Sequence, residues 1–297
     1  MKRLSCIFLT LLLLLGSVPA LAVDLSFLDD LSADELQEVR SAIDEKLKEF
    51  RLAAVQSEDE EGEVEATRQN PAIIGQTHLF KLDSYSEEST TALTMVRAIR
   101  GEPANALLKS FSRYNTSSSR MKKGEEWFAV MFHIEALEST SDKIDHSDYH
   151  FKFVSADGVE YDRGFISDNP LEVKSLYVGS EQFAWVCNVV KVGDNPLLTY
   201  NRWSDDTAWF NPNERVIVDT SSISYETITT KSSAEEITNL HLRLAELGLL
   251  KTAPTGKYDA SITTALKKFQ VAHGLANTGT ADEETLRLLF SGQPLPQ

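Results

Sequence analysis

The stretch "DKIDHSDYH", residues 142–150, crowds Asp145, His146, Asp148 and His150 into a few positions. These side chains are the types that ligate zinc or calcium. They precede a strand-like run, so the helical i, i+4 spacing of a ligand pair is not expected. We read them as a polar loop between strands and expect no metal. Cys187 sits in the apolar run "QFAWVCNVV", where a free cysteine behaves as a small buried hydrophobe rather than a nucleophile. The patterns "HExxH" and "GxSxG" are missing, and no Cys/His nucleophile pair has suggestive spacing. Paired carboxylates of the glycosidase kind cannot be singled out among 45 acidic residues. The expectation is a protein with no catalytic residues and no cofactor, hence not an enzyme.

The elements that would position any site begin after the first 22 residues. Lys2 and Arg3 precede the apolar run "IFLTLLLLLG", and Ala20 and Ala22 follow at cleavage spacing. That order is a secretory signal peptide over residues 1–22, too short in its apolar part for a membrane span. Its removal takes away two cations and no acids, moving the formal charge from −16 to −18. Such a chain is repelled by phosphate backbones and anionic lipid, so we expect no nucleic-acid partner and no membrane binding after cleavage. Cys187 then has no partner cysteine, and ordinary apolar cores must hold the fold.

Residues 23–67 read as an amphipathic helix and an acidic linker. Ser32 and Glu35 form a capping box, and Leu36, Val39, Ile43, Leu47 and Phe50 recur at helical spacing. The run "SEDEEGEVE" that follows has almost no apolar content. Residues 68–222 change character. Short runs such as "EWFAVMFHIEAL", "YHFKFVS" and "FAWVCNVV" alternate with turn signals, "ADG", "DNP" and "GDNP", which predicts an antiparallel β-sandwich. Trp127, Phe128, Phe132, Phe151, Phe153, Phe183 and Trp185 are expected to fill its core. "RAIRGEPANALLKSFSRYN", "KKGEEWFAVMFHIEAL", "HFKFVSADGVEYD" and the later "TAWF" resemble the immunoglobulin-like domain of unknown function found in secreted Gram-positive proteins. The resemblance implies a sandwich, a small helix over "ANALLKSF" and an extracellular setting, with no reaction.

A Ser/Thr-rich connector, "SSISYETITTKSS", leads to a third part over residues 234–292. Ser233 and Glu236 form a second capping box. Ile237, Leu240, Leu244 and Leu247 mark a helical stripe that Gly248 ends. "TGKYDASITTAL" and "TGTADEETLRLL" then echo each other. In each, a Thr-Gly turn needs positive φ at the glycine, Gly256 or Gly279, and an aspartate, Asp259 or Asp282, caps the next helix. Three short helices follow from this. The positions Leu247–Leu250, Gly256, Tyr258, Ala265, Leu266, Phe269, Gln270, Gly274, Leu275, Gly279 and Thr285 resemble the type 1 peptidoglycan-binding domain of bacteria. Thr255 and Thr278 stand where that family has aspartates, Ile262 where it has threonine, and Asp259 and Asp282 where it has glycines.

The fold class expected is thus multidomain: an N-terminal helix, an all-β immunoglobulin-like sandwich and a small all-α three-helix C-terminal domain. The resemblance implies a secreted, cell-wall-associated, non-catalytic protein whose last domain binds peptidoglycan. The ligand surface expected is the turn corner of Tyr258, Asp259, Thr278 and Gly279, on the premise that backbone groups there are free. Gln270 is expected to brace the turn. Another protein is a possible partner of the sandwich. Two other classes stay open on the residues alone, a wall hydrolase with its site in the sandwich and an adhesin or sensor.

Overall fold

The computed structural model describes residues 66–84, 87–116, 121–201, 206–293 and 295. The signal peptide, the N-terminal helix and almost all of the acidic linker lie outside the described residues. The rest belongs to one unit by its internal contacts.

Among the described residues, ten strands build the β part. They are β1 (Ala72–Ile74), β2 (Thr77–Ser84), β3 (Glu87–Arg100), β4 (Glu125–Ser139), β5 (Lys143–Ile144), β6 (Phe151–Val154), β7 (Leu176–Tyr177), β8 (Glu181–Lys191), β9 (Leu197–Tyr200) and β10 (Ala208–Arg215). One four-stranded sheet runs β1-β10-β9-β6, the other β2-β3-β4-β8, and β5 pairs with β7. Antiparallel pairing dominates, with β1 beside β10 as a parallel pair. Between the sheets, Phe132 meets Phe210 edge to face at 5.2 Å, and Phe80 meets Tyr200 at 4.9 Å. Phe128, Phe132, Phe151 and Phe153 are buried in this cluster, as the aromatic content predicts.

The second sheet is covered on both faces. Along β4, Phe128, Val130, Phe132 and Ile134 face the first sheet, while Trp127, Ala129 and Met131 join a separate apolar cluster. Trp185 and Cys187 of β8 join that outer cluster too. This corrects the expected core on two counts. The two tryptophans lie outside the space between the sheets, and Phe183, 48% exposed, belongs to neither core. Phe183 shares the outer face but lies beyond its cover, stacked instead on His133 at 4.6 Å between ring centroids.

What covers the outer face is helical. The first described α-helix, α1 (Glu102–Phe111), follows β3 directly and buries Ala104, Leu107 and Leu108. Asn115, fully buried after it, accepts at its carbonyl from Trp127 Nε1 (3.1 Å) and ties the loop to Ser167. The C-terminal unit adds α2 (Ala234–Glu246), α3 (Ala260–Ala272) and α4 (Glu283–Phe290). Leu240, Leu244, Leu266, Leu286 and Leu289, with Ile262 and Phe269, lie in the same cluster as Trp127 and Trp185. The chain from the end of β10 through the middle of the connector is engaged with the helical unit. Val218 N–H donates to the Ser291 carbonyl (2.7 Å) and Thr220 Oγ1 to that of Arg287 (2.8 Å). Ile228 bridges to Ala281, and Tyr225 stacks on Phe290.

A bulge in β3 decides one contact in this junction. Met95 pairs with Phe132, but Arg97 pairs with Met131, so Val96 is an extra residue. A one-residue slip exchanges the two faces of a strand. Met95 faces inward, and both Arg97 and Ile99 come to the outer side, where Arg97 Nη2 donates to Asn239 Oδ1 of α2 (3.3 Å).

Candidate functional site

The turn corner of the helical unit is built on capped helix starts. Ser233 Oγ accepts from Glu236 N–H (3.1 Å), and Glu236 Oε2 accepts from Ser233 N–H (2.8 Å), the reciprocal pair the sequence predicts. Asp259 Oδ1 accepts from the N–H groups of Ser261 (2.9 Å) and Ile262 (3.1 Å). Asp282 Oδ1 accepts from Thr285 N–H (3.0 Å). Gly256 and Gly279 adopt φ of 67° and 73°. At Gly279 a Cβ would also sit 2.8 Å from Thr263 Cγ2, so both backbone conformation and space call for glycine.

Gln270 is the hub of the corner. It is fully buried. Its Oε1 accepts from Gly279 N–H (2.8 Å), and its Nε2 lies 2.9 Å from the Thr280 carbonyl, 3.0 Å from Thr278 Oγ1 and 3.1 Å from Thr285 Oγ1. One side chain thus fixes the turn from both directions, as expected. Tyr258 is half-buried against the apolar cluster, and its hydroxyl donates to the Gly279 carbonyl (3.3 Å). Burial pushes the Tyr258 phenol pKa up. The hydrogen bond from the Ser261 hydroxyl, joined by the two capping amides, holds the Asp259 carboxyl below its ordinary range.

The structure therefore brings Tyr258, Asp259, Thr278 and Gly279 to one corner, but on different terms from those expected. The Gly279 N–H and C=O are both used internally, because a buried turn must pair its own backbone. Side chains are what face outward. Asp259 and Thr278 are exposed, and Gly279 is buried. Asp259 has a second carboxylate oxygen beyond the one that caps, and Thr278 Oγ1 accepts from Gln270 and from Thr280 N–H while keeping its own O–H to donate. An acceptor, a hydroxyl donor and part of a phenol ring together offer polar and stacking contacts at this corner.

The residues singled out as metal-ligand types go elsewhere. Asp145 accepts from Ser175 Oγ (2.6 Å), and Asp148 pairs with Arg163. His146 Nδ1 lies 2.8 Å from Tyr200 Oη in the core, and His150 Nδ1 accepts from Ser147 N–H. Cys187 is buried, and desolvation pushes its thiol pKa far up, against nucleophilic use. A triad that sequence reasoning missed lies on the outer sheet face. His133 Nε2 is 3.1 Å from Glu181 Oε2, and His133 Nδ1 is 3.5 Å from Glu135 Oε1. Among the described residues this group has metal-ligand atoms close enough to share an ion. Only the "HIE" spacing on β4 signals it in sequence, since Glu181 comes from another strand.

No curated protein matches the chain. A crystal structure titled as that of a "putative lipoprotein (ycdA)" from Bacillus subtilis is similar over 66% of this chain and 60% of that one, at 13% identity and a TM-score of 0.33. The similarity thus spans less than two thirds of that chain. Among the described residues, no helix is long and apolar enough to cross a membrane. Residues 233–289, the capped helices and the Gln270 corner, match the family described as "Putative peptidoglycan binding domain". That match supports peptidoglycan binding by the C-terminal unit and an association of the chain with the cell wall or envelope.

Proposed function

We propose that the chain is a secreted, non-catalytic protein of the cell wall, which holds peptidoglycan through its C-terminal unit and displays the β-sandwich to another protein. The observation that carries the reading is the family match over residues 233–289. The intact corner beneath it supports the same reading, because Gln270, both turn glycines and both caps stand in working geometry. The ligand surface proposed is Tyr258, Asp259 and Thr278, with Gly279 as the turn that seats them. Binding is weak, because a shallow corner buries little area. The unit carries 7 acids and 6 bases over residues 234–292, so it approaches a polyanionic wall with less repulsion than the rest of the chain.

Co-sedimentation with purified sacculi tests this. The full chain is expected in the pellet, and Tyr258→Ala combined with Thr278→Ala in the supernatant, with its far-UV circular dichroism retained. A wild-type chain that stays in the supernatant at its highest soluble concentration removes the reading. The non-catalytic part is tested separately, by turbidity of a sacculus suspension. Clearing by the wild type that is lost in Glu181→Gln would instead make the His133 triad a catalytic centre.

A further inference from the structure

The junction between sandwich and helical unit holds more positive charge than its partners neutralise. Arg97 of β3, Arg215 at the end of β10 and Arg243 of α2 converge on one carboxylate, Glu246. Arg243 Nη1 lies 2.8 Å from Glu246 Oε2, Arg215 Nη1 lies 2.9 Å from the same oxygen, and Arg97 Nε is 3.7 Å from Oε1. The side chains of Arg97, Arg243 and Glu246 are only 13%, 5% and 7% exposed, and that of Arg215 is 28% exposed. Three guanidinium groups thus share one buried acid. Arginine does not lose its proton in proteins, so the excess stays even though desolvation by burial pulls the pKa of both Arg97 and Arg243 down.

The donors are not used up either. Arg243 Nε donates to the Leu289 carbonyl (2.6 Å) and Nη1 to Glu246, but Nη2 is buried with no partner. Arg97 gives Nη2 to Asn239, while its buried Nε and Nη1 make no hydrogen bond. Proteins seldom leave buried charged donors unpaired, because the desolvation cost is then not offset. A clamp between domains would need only one arginine for Glu246. A cleft of about 380 Å³ opens beside the cluster, lined by Arg215, Arg243 and Glu246, with the Gly292 backbone and exposed Glu214 at its wall. Its volume falls within the range of small-molecule sites.

We propose that this cleft binds a small oxyanion, a carboxylate or phosphate group, which Arg215 hydrogen-bonds while the buried Arg243 and Arg97 add charge from behind. A planar guanidinium presents paired N–H donors that match either group. The site is separate from the Tyr258 corner, and its occupancy does not depend on wall binding.

Isothermal titration of the full chain tests it with three probes at matched ionic strength: inorganic phosphate, N-acetyl-D-alanine and, as the uncharged twin of the latter, N-acetyl-D-alanine amide. Saturable binding of at least one anion, with Kd on the order of 1 mM, and none of the amide, is expected. Binding of phosphate alone assigns the source to a phosphate-bearing compound, and binding of N-acetyl-D-alanine to a carboxylate. Arg215→Gln, at the more exposed position, is expected to weaken the anion about tenfold, which is the loss of one charge-assisted contact. Arg215→Lys should keep part of the affinity. Thermal unfolding of each variant without anion reports whether the fold is intact. The proposal is overturned if neither anion binds, if the amide binds as well as the acid, or if folded Arg215→Gln binds like the wild type.

Discussion

Two polar centres in this molecule handle burial in opposite ways. At the turn corner, Gln270 is fully buried and both ends of its amide are engaged, by the Gly279 N–H on one side and three oxygen acceptors on the other. At the domain junction, three arginines surround Glu246 and buried guanidinium nitrogens remain unmatched. The first centre is neutral and complete, which is what a structural brace requires. The second is charged and incomplete, which costs stability unless something else supplies an acceptor. A polar cluster should therefore be judged by which of its donors are left over, as well as by how deeply it is buried.

The comparison breaks most sharply at Glu246. Glu246→Ala leaves the three arginines with no acid among them, and removing one partner of a buried ion pair costs about 3–5 kcal/mol. Urea unfolding of the variant should show a loss of that size. Added phosphate should recover part of it, since the anion would stand in for the missing carboxylate. Gln270→Ala attacks the complete centre. It strands the Gly279 N–H and the Thr280 carbonyl, and an unsatisfied buried group costs about 1–3 kcal/mol. Here phosphate should add no more than it adds to the wild type, and this contrast is the sharper test of the two centres' characters.

The smallest effect belongs to a cap at the edge of the corner. Asp259→Ala removes the acceptor for Ser261 and Ile262 N–H, a loss of about 1 kcal/mol. Its pH dependence has a definite sign. The folded carboxyl titrates below its ordinary value, so its charge-linked contribution is complete above a pH of about 4, where the unfolded group ionises. That contribution fades as pH falls through the lower folded value. The stability gap between wild type and variant, measured by thermal unfolding from neutral to acid pH, should hold at neutral pH and close in acid.

The helical unit was legible because its signals are local. Capping boxes, Thr-Gly turns and cap aspartates act within a few residues, and Ser233, Glu236, Asp259, Asp282 and Gln270 all stand as their spacing predicts. The sandwich was legible as a class but not face by face. Where both faces of a sheet are covered, here one by the other sheet and one by helices, β-strand alternation disappears. Trp127 and Trp185 then look like Phe128 and Phe132 in sequence although they serve another core, and Phe183 looks buried although it lies beyond the cover. The corner's free surface was misjudged because the Tyr258–Gly279 contact joins residues on either side of a whole helix. The arginine cluster had no sequence signal. Its members come from three distant segments, and a single extra residue, Val96, decides that Arg97 reaches it.

The helical unit is tethered at both of its ends. Arg97 and Arg215 of the sandwich hold its first helix at Asn239 and Glu246. Val218 and Thr220 meet its last helix just after β10, and Gly292, beyond that helix, lies so close to β10's exit that a Cβ would come within 2.5 Å of the Val216 carbonyl. A body pinned at entry and exit cannot swivel as one on a single tether can. On the proposed reading, engaging the wall does not have to freeze an interdomain hinge, an entropic cost that otherwise weakens association. The sandwich is then carried at a set bearing to the glycan surface. Tension on the attachment would be divided between the pinned ends, and no single linker would bear the whole load.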